Sequence, residues 1–275
     1  MTKHVSALML VVVIVVSFVL PPSAAGQELT HRVYLPLIMS GARRPTSNQL
    51  IDQALARGAI DAETALTYKV FAAFGDARLP AFYQGDDQGV WESHILTEVQ
   101  RRYDGLSPAA QAALAPFLIP PAYEGSWEQP APAAAGLAPK ITWTHKDGVH
   151  ARLWWHADSP EDAALADLYI EALDGDIWPA LTGLMGRTPI SDAGMPHDGG
   201  SGKLDIYLAP GLERSYCASH KGCQKTSSYI VLNPYVSDSV LAHEFMHAIH
   251  WAYNTHVSCN TKEYDWLAEA TAMWA

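Results

Sequence analysis

The stretch from Asp238 to Tyr253 limits what this chain can fold into more than any other. Leu241, Phe245, Met246, Ala248, Ile249 and Trp251 make it apolar around most of a helix, yet His243, Glu244 and His247 are set into the same run. A helix this apolar is a buried one. Two imidazoles and a carboxylate are costly to bury unless they have a partner. The fold must therefore place this helix inside and give those three side chains something to bind. Residues four apart on a helix share a face one turn apart. His243 and His247 can thus point at one ion, and at this spacing, with Glu beside the first His, that ion is usually Zn²⁺. Glu244 stands where it can take the proton from a water on such an ion.

A zinc site that performs chemistry keeps three protein ligands and one open position. The longer pattern with Gly three and His six positions after the second His is not met, because His250 and Tyr253 stand there. Downstream, Trp266 to Ala272 reads as a second helix with one acid, Glu269, among small residues. The intervening chain is long enough to leave the first helix, turn and return. Ala270 and Ala272 would let the two helices approach closely enough for the Glu269 carboxylate to reach the ion. Glu263 and Asp265, at the entry to that helix, are alternative third ligands. So is His250, on nearly the same helix face as His243.

The rest of the chain divides by composition. Lys3 and His4 precede an apolar run from Ala7 to Leu20, then Pro21-Pro22 and Ser23-Ala24-Ala25. This is the layout of a secretory signal peptide cleaved after Ala25, and the run is shorter than the ~20 residues that span a bilayer. Residues 1–25 are expected to be that signal, leaving a secreted chain with no stable membrane insertion. Residues 26–46 read as an N-terminal linker. Residues 47–119 read as a small unit of four helices, a candidate propeptide, starting at Ser47 or Asn48, Asp61, Glu92 and Ser107; His94 there reads as an ordinary side chain. Residues 120–140, rich in Pro and Ala, read as an interdomain linker.

From residue 141 to 275 the pattern is α+β. A hairpin is expected over Ile141–Thr144 and Val149–His156, then a helix from Ser159 toward Leu184. Strands follow at Leu204–Leu208 and Tyr229–Leu232, the latter a candidate edge for pairing with an extended peptide. The chain stops six residues after Glu269, inside an uncapped helix, so this domain is expected to be incomplete at its C-terminus. Gly199-Gly200-Ser201-Gly202-Lys203 is not a phosphate loop, because Leu204 stands where Ser or Thr is needed and a strand follows instead of a helix.

Eighteen Lys and Arg against 29 Asp and Glu give a net charge of −11. That excess excludes the clustered basic surface a nucleic acid requires. Export permits disulfides, and Cys217, Cys223 and Cys259 are the three cysteines. Cys217 with Cys223 closes a short loop and is the favoured pair. Cys223 with Cys259, or a zinc site of Cys217, His220 and Cys223, are the alternatives.

His243-Glu244-Phe245-Met246-His247 together with Trp266-Leu267-Ala268-Glu269-Ala270 resembles the active-site core of gluzincin metallopeptidases. It is most similar to secreted bacterial proteins related to immune inhibitor A, over about residues 141–275. The resemblance implies a zincin-like metallopeptidase domain that hydrolyses polypeptides. In it His243, His247 and Glu269 hold Zn²⁺, and Glu244 is general base and then acid. His250 stands where that group would have Gln. Two other classes use the same residues: a binding or structural protein that keeps the site without turnover, and a zinc hydrolase of a non-peptide substrate.

Overall fold

The computed structural model describes residues 44–87, 95–129, 141–209, 215–222, 224–253 and 265–275. All lie in one compact unit, Arg43–Ala275. The expected signal peptide, His94, Cys223, Cys259 and Glu263 lie outside the described residues, as does the side chain of Asp265.

Four helices come first: α1 (Ser47–Ala56), α2 (Ala62–Ala73), α3 (Ile95–Arg102) and α4 (Pro108–Leu114). Local chemistry starts three of them. Thr46 forms a reciprocal capping box with Gln49, Asp61 accepts from the Thr64 amide at 2.7 Å, and Ser107 caps α4 ahead of Pro108. The cap of α1 is thus Thr46, one residue before the expected Ser47.

A hairpin of β1 (Trp143–Asp147) and β2 (Ala151–His156) follows, paired from Trp143 with His156 to Asp147 with Arg152. The Asp174 carboxylate fixes its turn by accepting from the amides of Val149 and His150 at 2.7 and 3.2 Å. The stretch expected as one helix toward Leu184 is two, α5 (Pro160–Ala172) and α6 (Trp178–Met185). A wider turn over Leu173–Ile177 separates them, where Gly175 and the following Pro179 weaken regular hydrogen bonding. Strands β3 (Leu204–Leu208), β4 (Tyr216–Ser219) and β5 (Ser228–Leu232) complete the sheet, and α7 (Asp238–Trp251) and α8 (Asp265–Trp274) end the chain.

The sheet order is β1-β2-β3-β5-β4. β3 runs parallel to both β2 and β5, while β1 and β4 are antiparallel to their neighbours. β5, expected at an edge, is therefore interior, and β4 takes the edge beside it. The fold is a mixed α+β one with a five-stranded sheet. Leu153, Ile206, Leu208, Cys217, Ile230 and Leu232 on one face pack with α5, α6 and α7. Tyr207, Tyr216, Ala218, Tyr229 and Val231 on the other pack with Ile51, Leu66, Val70, Phe71, Val99, Leu114 and Phe117 of the N-terminal helices. Strands covered on both faces lose the contrast between an inward and an outward side, and every residue of β3, β4 and β5 is buried.

The residues read as a separable helical unit thus share a core with the sheet. Part of the stretch read as a linker does too. Trp127 packs on Phe74 at 5.4 Å, and Ser126 and Gln129 are buried and hydrogen-bonded to each other. Among the described residues no helix is long and apolar enough to cross a membrane.

Candidate metal centre

Helix α7 is held from several sides. The Tyr169 hydroxyl of α5 shares its one hydrogen between the carbonyls of Pro234 and Val236, 2.7 and 2.8 Å away, fixing the approach to its first turn. Trp178 packs on Phe245 at 5.0 Å. At its end, Arg187 Nη1 donates to the carbonyl of Ala252 at 2.8 Å, and the Thr226 amide donates to the carbonyl of Trp251 at 3.0 Å. Asp238 in the first turn and His250 in the last suit the helix dipole.

This framing buries His243, Glu244 and His247, at 3%, 0% and 5% exposed. The helical repeat turns the two imidazoles toward one point, with Nε2 to Nε2 at 3.1 Å and ring planes 83° apart. Helix α8 packs against α7 and brings Glu269 to them. Its Oε2 lies 3.5 Å from His243 Nε2 and its Oε1 3.6 Å from His247 Nε2. Buried Ala272 permits that approach. His250 Nε2, considered above as a ligand, is hydrogen-bonded at 3.1 Å to Thr271 Oγ1 of α8.

Glu244 points into this space with both carboxylate oxygens lacking a hydrogen-bond partner among the described residues. Burial raises its proton affinity well above the ordinary carboxyl range, and the negative charge of Glu269 adds to the effect. On the sheet side of the helix lies Cys217, a free and buried thiol. Burial pushes its pKa up, and the charge of Glu244 pushes it further. The favoured Cys217–Cys223 disulfide is therefore not formed. The pleat of β4 turns Cys217 toward α7, while its neighbours Tyr216 and Ala218 face the N-terminal helices. His220 hydrogen-bonds instead to Ser227, Nδ1 to Oγ at 3.1 Å.

No family model, curated protein or solved structure matches this chain. The functional reading therefore rests on the site.

The buried His243–Glu244–His247 group can hold a metal ion. The two imidazole nitrogens lie 3.1 Å apart, and the Glu269 carboxylate meets them with one oxygen each, at 3.5 and 3.6 Å. Zinc–ligand bonds of 2.0–2.1 Å in a tetrahedron place donors about 3.3 Å apart. The donor types suit a borderline ion, and the unpartnered Glu244 oxygens mark a place where a bound water would be received. Spacing on one helix singled out His243, Glu244 and His247, and small neighbours made Glu269 the favoured third ligand over Glu263, Asp265 and His250; the structure brings these four side chains together. Sequence reasoning missed Thr271 and Cys217, whose roles come from contacts between elements distant in sequence.

Proposed function

We propose that this chain is a secreted zinc-dependent metalloendopeptidase with a zincin-like fold and a gluzincin site. The observation that carries the reading is the convergence of His243, His247 and Glu269 beside the buried, unpartnered carboxylate of Glu244. His243 and His247 from α7 and Glu269 from α8 would hold the ion. When bound, Zn²⁺ lowers the pKa of a water toward neutrality and polarises a carbonyl.

Glu244 then has the work of a proton carrier. Its carboxylate accepts the proton of the attacking water and delivers it to the leaving amine. The apolar side chains around it exclude competing water, which strengthens each interaction inside. A polypeptide is the proposed substrate, consistent with a site that needs no basic surface.

The test joins metal analysis to turnover. Purified protein is expected to carry one zinc at this site, to cleave a denatured protein substrate, and to lose that cleavage with 1,10-phenanthroline. Glu244→Gln should keep the zinc and lose cleavage. Zinc bound with no cleavage of a broad peptide library sinks the peptidase reading and favours a binding protein. Cleavage of esters or amides alone favours the non-peptide hydrolase.

A further inference from the structure

Helix α8 turns one side to α7 and leaves the other bare. Trp266, Leu267, Met273 and Trp274 are 67%, 43%, 69% and 71% exposed, and Ala270 is exposed between them. At about 100° per residue these five positions fall within roughly 120° of the helix surface. Glu269 and buried Ala272 lie on the side that faces α7. Other exposed large apolar side chains, such as Leu55, Phe82 and Val149, stand singly on other elements and need no explanation. A continuous apolar face with two tryptophans does need one, because Trp is enriched at interfaces relative to free surface.

The order of residues along this face says what covers it. Ala270 is at its centre, Leu267 and Met273 stand three residues to either side, and Trp266 and Trp274 stand four. The face therefore presents the same apolar profile from both ends. Such a face is complementary to itself when two copies meet antiparallel about a two-fold axis. With Ala270 on the axis, Trp266 meets the partner's Trp274 and Leu267 meets the partner's Met273. The small side chain at the crossing lets the two helix axes approach to about 8 Å. None of the five residues carries a charge, so the match is made by apolar contact and two aromatic pairs.

The area agrees with a pair that forms and separates. A Trp side chain carries about 150–250 Å², so the face presents roughly 500 Å² and a pair buries about 1,000 Å². Specific interfaces begin near that value, and a typical one buries about 1,600 Å². The expected dissociation constant is on the order of 10 μM.

We propose that the exposed face of α8 is the interface of a homodimer, in which two copies of this chain pair antiparallel through Trp266, Leu267, Ala270, Met273 and Trp274. The pairing is independent of the reading of the metal centre, which lies on the other side of α8.

Sedimentation velocity on the purified chain, from about 1 to about 200 μM so as to bracket that constant, tests the proposal. A monomer–dimer equilibrium is expected. It should strengthen with salt, because apolar contact is kept while repulsion between two copies of charge −11 is screened. Trp274→Glu should be monomeric throughout, with an unchanged far-ultraviolet circular dichroism spectrum, since the side chain it replaces is exposed. Ala270→Cys should link two copies by a disulfide under mild oxidation, beyond any linkage of the parent. Trp274→Cys should not link to itself, because the antiparallel arrangement sets those two positions about 12 Å apart along the axis. A monomer across the whole range overturns the pairing and gives the face to a different occupant. Association that weakens with salt, a dimer that persists in both Trp274→Glu and Met273→Glu, or Trp274→Cys linking as readily as Ala270→Cys also overturns it.

Discussion

Thr271 Oγ1 lies 3.1 Å from His250 Nε2, a hydrogen bond that joins the helix carrying both candidate histidine ligands to the helix carrying Glu269. His250 is one turn beyond His247, and Thr271 is two residues beyond Glu269. The bond therefore sets the spacing of the two helices close to where their ligand atoms meet. A third ligand delivered from a separate helix is only as well placed as that helix.

Thr271→Val removes the hydroxyl with little change of volume. Its expected effect is a loss of about tenfold in zinc affinity, the scale on which supporting contacts act. Competition titration against a chromophoric chelator measures it. Thr271→Ser should restore most of the affinity, which a defect of helix packing alone would not do.

Glu244 is expected to act in turnover and to burden the metal-free fold. Glu244→Gln should lower cleavage by about 10²–10⁴-fold while zinc stoichiometry is unchanged. In metal-free protein the same substitution should raise Tm, because a buried carboxyl without a partner is replaced by a neutral group of the same shape. A lower Tm in the metal-free variant would count against that account of the site.

Cys217 should be inert in the native protein. It is 4% exposed, and both burial and the Glu244 charge disfavour its thiolate. The thiolate is the reactive form. Alkylation read residue by residue by mass spectrometry should leave Cys217 unmodified until denaturant is added. Labelling under native conditions would show that β4 opens.

The candidate site on α7 was legible in sequence because His243, Glu244 and His247 obey a helical repeat, and Glu269 because small neighbours suggested a close helix contact, at which Ala272 is buried while Ala270 is exposed. Strand β4 was not, since Tyr216-Cys217-Ala218-Ser219 mixes polar and small residues that only burial on both faces explains. Leu204-Asp205-Ile206-Tyr207-Leu208 alternates as a strand with one buried face does. The N-terminal helices cover the second side, so Asp205 and Tyr207 are buried as well. A Pro- and Ala-rich stretch hid that packing by resembling a boundary.

Phe117 tests whether the helical layer and the sheet fold together. It is 1% exposed and packs on Phe74 at 4.7 Å and Phe71 at 6.1 Å, while Phe74 in turn meets Tyr216 of β4 at 5.5 Å. Phe117→Ala should cost about 3–5 kcal/mol, lowering Tm by roughly 10 °C. Zinc release should follow the same single transition. Two transitions, with zinc retained through the first, would show two independent units.

The Asp192–Asp205 pair gives the protein a defined pH dependence. Burial raises both groups; repulsion from Asp205 and Asp198 adds at Asp192, which rises to about 8, while hydrogen bonds from Trp154, Asp192 and Tyr207 and the attraction of Arg152 hold Asp205 to about 6. Both groups ionise near pH 4 in the unfolded chain. Above that value the unfolded state has lost protons that the folded state keeps, so stability falls as pH rises. The fall should run from about pH 4 and level off above about pH 8, where the folded pair has also lost its protons. Tm is expected to decline across that window, and Asp192→Asn should flatten the decline. A Tm of the parent that holds level between pH 4 and pH 8 would count against the burial of this pair.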